Sequence, residues 1–165
     1  MSDETNKAST VPAVTHNPWT GEPTINMRVK RLHPGAKLPT KARPGDSGFD
    51  VFAHGAGGMI LPGGRATFPT GIAIELPPGW EAQVRPRSGM ASTGGIVAVL
   101  GTCDNGFRGE IGVTLYNFNG DRVKIEPGDR IAQLCIARVP DVRVVEVEEL
   151  SETERGAGGF GSSGR

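Results

Sequence analysis

Glycine and proline recur so closely along this chain that a long helix has nowhere to run. There are 25 Gly and 13 Pro in 165 residues. Glycine weakens a helix through its conformational freedom, and proline through its missing N–H and its ring. Between these breakers lie short runs rich in Val and Ile, with Pro62-Gly63, Pro78-Gly79 and Pro127-Gly128 as turn signals. Ile25, Met27 and Val29 alternate with Asn26, Arg28 and Lys30, which puts the two sets on opposite faces of a strand. Further strands are expected at 48–53, 66–69, 71–76, 80–85, 111–115, 123–126, 130–139 and 142–147. Asn119-Gly120 separates two of these runs and predicts a tight hairpin, because both residues tolerate positive φ. The fold class that follows is all-β: a sandwich, jelly roll or barrel of short strands. Helix is a minor component, with 146–155 the best candidate for a short helical turn.

The organisation is one domain between two tails. Residues 1–23 mix Ser, Thr, Asn and Pro with few spaced apolar residues and read as a flexible tail. The β domain covers 24–151. Residues 152–165 form a glycine-rich arm with no core to join. No solenoid or propeller repeat is present.

Eighteen Lys plus Arg balance eighteen Asp plus Glu, for a formal net charge of +0. There is no global field to attract nucleic acid or an acidic membrane, so any anion site is local. No apolar run approaches the roughly 20 residues that cross a bilayer. The first ten residues are polar, so the chain is expected to be soluble and cytoplasmic. Cys103 and Cys135 make no CxxC pair and read as reduced thiols, while His16, His33 and His54 are too scattered for a histidine metal centre.

Five segments carry groups that suit chemistry. Gly45-Asp46-Ser47-Gly48-Phe49-Asp50-Val51 ends in a carboxylate at a strand, able to hold hydrated Mg²⁺ together with substrate phosphates. Arg85-Pro86-Arg87-Ser88-Gly89 sets a guanidinium beside a hydroxyl and a glycine, groups that suit an oligophosphate. The run from Gly101 to Gly109 resembles a hairpin with Asp104 and Phe107 at its bend, and Asp104 there is a candidate general base for water. In Gly128-Asp129-Arg130-Ile131-Ala132-Gln133, Gln133 is placed to orient a water. The arm matches GxGxxG by count at Gly156, Gly158 and Gly161, but the strand and helix that a dinucleotide fingerprint requires are missing. Arg155, Phe160, Ser162 and Ser163 suit a phosphate-and-base lid instead. Taken singly, the first four segments read at least as well as ordinary turns, and the arm has a disordered linker as its plain alternative.

Taken jointly and in order, the five segments resemble the motifs of the trimeric deoxyuridine triphosphatase family. The resemblance implies a distorted jelly-roll subunit, a homotrimer with shared active sites, and a flexible C-terminal arm that closes over a neighbour. It implies hydrolysis of dUTP to dUMP and pyrophosphate, which limits uracil incorporation into DNA and supplies dUMP for thymidylate synthesis. By position, Asp104 would activate the water that attacks the α-phosphorus, with Gln133 and Ser88 on the water or phosphates. Arg87, Ser88 and Gly89 would bind the phosphate chain. Phe107 would lie under the deoxyribose, and the backbone near Gly101 and Gly112 would read uracil. Asp50 would hold Mg²⁺ through its water shell, and Arg155, Phe160, Gly161, Ser162 and Ser163 would form the lid. Phe107 and Phe49 stand where Tyr is common in that family, and Cys103 where Ile or Val is usual. A related dCTP deaminase is the alternative enzyme, and a binding module without catalysis the alternative from another class.

Overall fold

The computed structural model describes residues 12, 14–18, 21 and 23–159. Strands β1 (Val14–His16) and β2 (Pro23–Ile25) form an antiparallel pair of their own. Then come β3 (Arg28–Arg31), β4 (Gly48–Phe52), β5 (Gly58–Ile60), β6 (Arg65–Pro69), β7 (Ile72–Glu75) and β8 (Trp80–Arg85). Helix α1 (Ser88–Ser92) follows, and β9 (Ile96–Ala98), β10 (Gly101–Cys103), β11 (Gly112–Asn117), β12 (Val123–Ile125) and β13 (Arg130–Arg138) complete the order. The largest sheet runs β10-β8-β13-β4, a second runs β6-β11-β9, and β12-β5 and β3-β7 are two-stranded. The result is a distorted jelly roll of short strands.

Alternation builds its interior. In β8, Ala82 and Val84 are buried while Glu81, Gln83 and Arg85 point the other way. In β11, Val113, Leu115 and Asn117 turn inward. Side chains of both larger sheets, among them Val51, Leu134, Phe68 and Leu115, meet in one hydrophobic cluster. Burying each such large side chain contributes about 1.5–3 kcal/mol. Asn117 is the most deeply buried polar residue among those described, at 0% exposure. Its Nδ2 donates to Ile60 O (3.0 Å) and Asp121 O (2.8 Å), and its Oδ1 accepts from Asn119 N (2.9 Å). A buried amide left unpaired would cost about 1–3 kcal/mol. Here it staples three segments instead.

Several sequence expectations change. Asn119-Gly120 does not make a hairpin: β11 pairs with β6 and β9, and β12 pairs with β5. The Asn119 amides are spent on Asn117 Oδ1 and Gly94 O, which turns the chain toward β5. Segment 101–109 is not a simple hairpin either, since β10 pairs with β8 and β11 lies in the other large sheet. Residues 142–147 form no strand and 146–155 no helix. The only helix among the described residues is α1, too short to show a periodicity. Part of the expected tail is paired in β1–β2, and the strand expected from Ile25 is interrupted at Asn26-Met27. No helix among the described residues is long and apolar enough to cross a membrane.

Candidate active site

Strand β4 delivers Asp50 into the sheet with its side chain 6% exposed. One carboxylate oxygen, Oδ1, accepts from Arg87 Nε (3.1 Å), and Oδ2 accepts from Arg130 Nη1 (3.3 Å). Arg87 also donates Nη1 to Arg130 O at 3.1 Å, so it clamps β4 to β13 from the loop before α1. Two guanidiniums around one carboxylate leave a local excess of positive charge. Ser88 and Gly89 follow at the exposed start of α1. Gln133 lies in register between Asp50 on β4 and Arg85 on β8. Its side chain rests on Gly48, where a Cβ would come within 2.5 Å of Oε1. A cavity of about 390 Å³ opens here, lined by Arg87, Met90, Lys124, Asp129 and Arg130 among others.

Asp104 stands elsewhere, exposed just past β10. Its carbonyl accepts from Phe107 N (3.0 Å), a tight turn. Phe107 is 44% exposed, and its ring lies so close to Gly109 that a Cβ there would be 2.7 Å from Cζ. Asp104 shares a cavity of about 380 Å³ with Trp80, Glu81, Asn105 and Asp141, an acidic setting. Burial pushes the Cys103 thiol up and the Asp104 charge adds to it, so Cys103 is a small apolar neighbour rather than a nucleophile.

Gly101 and Gly112 flank a fork. Strands β9 and β11 pair as far as the hydrogen bond from Val99 N to Thr114 O (2.8 Å). Beyond it one branch leaves to pair with β8, with Gly101 opposite Val84, while β11 stays paired with β6 on its other side, with Gly112 opposite Pro69. A cleft of about 720 Å³ runs beside Gly101, between Arg85 and Leu100.

The sheet order sets the distance between these halves. Asp104 follows the outer strand β10, and Asp50 lies on the opposite edge strand β4. The row of Cys103 runs through Ala82 and Ile136, and that of Asp50 through Gln133 and Arg85. With strands about 4.8 Å apart and residues about 3.3 Å apart along them, the two carboxylates are on the order of 20 Å apart. The structure thus brings together Asp50, Arg87 and Gln133, with Ser88 and Gly89 beside them. It separates that group from Asp104 and Phe107. Arg155 is exposed and donates Nε to Gly158 O (2.9 Å), while Phe160, Gly161, Ser162 and Ser163 lie outside the described residues. Arg130 and Gly48 were within the motifs singled out by sequence, but their contacts with Asp50 and Gln133 needed the strand register.

An antiparallel subunit with a cationic seat on one edge and a carboxylate by a backbone fork on the other suits a hydrolase of nucleoside phosphates. The dUTPase family model matches residues 35–164. The deoxyuridine 5'-triphosphate nucleotidohydrolase of Syntrophotalea carbinolica is 46% identical over 144 residues, covering 86% of this chain and 98% of that protein. That of Thermobifida fusca is 50% identical over 145 residues, covering 86% and 80%. A solved structure of Staphylococcus bacteriophage 80alpha dUTPase with dUPNHPP superposes with a TM-score of 0.80 at 29% identity, covering 86% of this chain and all (100%) of that one. The chain belongs to the dUTPase family.

Proposed function

We propose that this chain hydrolyses dUTP to dUMP and pyrophosphate at sites assembled between copies of itself. The observation that carries the shared site is the separation just described. A water activated by Asp104 must reach the α-phosphorus of the same triphosphate that Arg87 and Ser88 hold, and about 20 Å is too far for one chain to do both. The two half-sites are also opposite in charge, so the acidic cavity of one copy suits the cationic cavity of the next. Such head-to-tail contacts close into a ring, and a homotrimer is the arrangement proposed. The Val142–Leu150 stretch fits this reading, since Val142, Val144 and Leu150 are 71%, 93% and 88% exposed and await a partner.

In the assembled site Asp104 takes a proton from water, and the resulting oxygen attacks the α-phosphorus. The bond from that phosphorus to the α,β-bridging oxygen breaks, and pyrophosphate leaves. Gln133 orients the water, Arg87 and Ser88 neutralise and hold the phosphates, and Gly89 lets the chain approach them. Phe107 packs under the deoxyribose. The open backbone at Gly101 and Gly112 offers the donors and acceptors that distinguish uracil. The arm, with Arg155, Phe160, Gly161, Ser162 and Ser163, closes over the nucleotide.

Mg²⁺ fits this site only as a companion of the substrate. Among the described residues no group of three His, Cys, Asp or Glu is gathered to hold a metal. Each Asp50 oxygen already accepts from an arginine, which disfavours direct ligation and leaves Asp50 to receive a hydrogen bond from a water of the ion's shell. When bound, the ion would neutralise charge on the triphosphate.

The test is turnover across dUTP, dTTP, dCTP and UTP with Mg²⁺, followed by pyrophosphate and ammonia. Pyrophosphate from dUTP alone is expected, with Asp104→Asn at least about 10²-fold slower. Undiminished release by Asp104→Asn would overturn the base assignment, and ammonia from dCTP would move the chain to the deaminase reading.

A further inference from the structure

Asp104 and Phe107 are asked to hold their places to within a fraction of an ångström, yet both lie in the connection 104–111, which belongs to no sheet. What fixes it is its underside. Asn105 Nδ2 donates to Leu76 O at 2.6 Å. Arg108 Nη1 donates to two carbonyls, Asn105 O at 2.5 Å and Phe107 O at 2.9 Å, on either side of Gly106. Its other terminal nitrogen, Nη2, lies 3.6 Å from Glu75 Oε1 at the end of β7. Glu75 is itself steadied by Arg28 on β3, 3.5 Å from its second oxygen.

A guanidinium is rigid and planar, so an ion pair at one edge narrows the directions in which its other donors point. Here they point at the two carbonyls that define the bend between Asp104 and Phe107. The ion pair adds little to the stability of the fold, because Arg108 and Glu75 are 50% and 43% exposed. Its effect is geometric.

We propose that Arg108, oriented by Glu75, is a positioning residue for the hydrolysis. It closes the Asn105–Phe107 bend and thereby aims Asp104 at the attacking water and Phe107 at the sugar. This rests on the roles given above to Asp104 and Phe107.

The experiment compares full-length wild type, Asp104→Asn, Arg108→Ala, Arg108→Lys, Glu75→Gln and the Arg108→Ala/Glu75→Gln pair by steady-state kinetics on dUTP and by amide hydrogen exchange. Arg108→Ala is expected to lower kcat about tenfold to hundredfold, with a smaller change in KM, because the base is misplaced while the triphosphate contacts remain. Arg108→Lys keeps the charge but lacks the fork, and should stay within about threefold of Arg108→Ala. Glu75→Gln should cost about threefold alone and nothing further on top of Arg108→Ala, since it acts through that residue. Exchange should rise about tenfold within 104–111 in Arg108→Ala and stay unchanged in β8 and β13. A kcat for Arg108→Ala within about twofold of wild type, or full additivity of the pair, overturns the proposal. Unchanged exchange in 104–111 overturns it whatever the activity. Absence of pyrophosphate release by wild type, or full release by Asp104→Asn, strikes the underlying assignment instead, so the two failures are told apart.

Discussion

Gly48 shows how little space separates a site residue from a structural one. A methyl group there would meet Gln133 Oε1 at 2.5 Å and Gln133 Cβ at 2.9 Å, so the amide must swing away or the strands must part. Gly48→Ala is expected to cost about 1–3 kcal/mol in stability through overpacking and to lower kcat about tenfold by displacing Gln133. Thermal unfolding and steady-state kinetics on the same preparation check both. Asp50 and Gln133 stood out in the sequence as candidates because their motifs each join a glycine turn and acids to a strand start, and the β4–β13 register sets the two opposite each other. The part played by Arg130 was not, because Asp50 and Arg130 lie 80 residues apart and meet only through the β4–β13 register. Asn119-Gly120 misled for the opposite reason. Its local turn chemistry is sound, but the buried Asn117 amide draws Asn119 into its own hydrogen bonds and sends the chain to a different sheet.

Most strands followed from alternation and turn residues, and β8 occupies the expected 80–85. Segment 142–147 has the same alternation and no strand. Pattern describes what a segment is able to pair with, and the partner need not lie in the same chain. Val144, at 93% exposure, separates the two possibilities. On a free tail Val144→Asp would change almost nothing, since surface substitutions stay within about 0.5 kcal/mol. If the segment pairs with another copy, the aspartate weakens assembly, and sedimentation will show smaller species with turnover falling in step. The five residues of α1 sit at the other limit. A single turn leaves no periodic trace, and only the structure distinguishes it from the glycine turn that Ser88-Gly89 suggests.

At the scale of the whole molecule, a site divided between copies makes a prediction that no single chain can satisfy. Asp104→Asn and Gln133→Leu each disable a different half. Dissociated, mixed in equal amounts and reassembled, they produce some sites with a wild-type half from each. Random association around a closed ring gives intact halves at about a quarter of the sites, so about a quarter of wild-type turnover should return from two nearly inactive proteins. Turnover that stays at the level of the separate variants would show that one chain carries the whole site. The exposed valines of 142–147 also bear on how the protein is made. Under the proposed assembly, between leaving the ribosome and meeting its copies each chain displays an apolar segment with strand-like alternation that any unpaired sheet edge is able to capture. That interval lengthens as expression falls, so aggregation risk in this protein depends on how seldom the right partner arrives as well as on how crowded the wrong ones are.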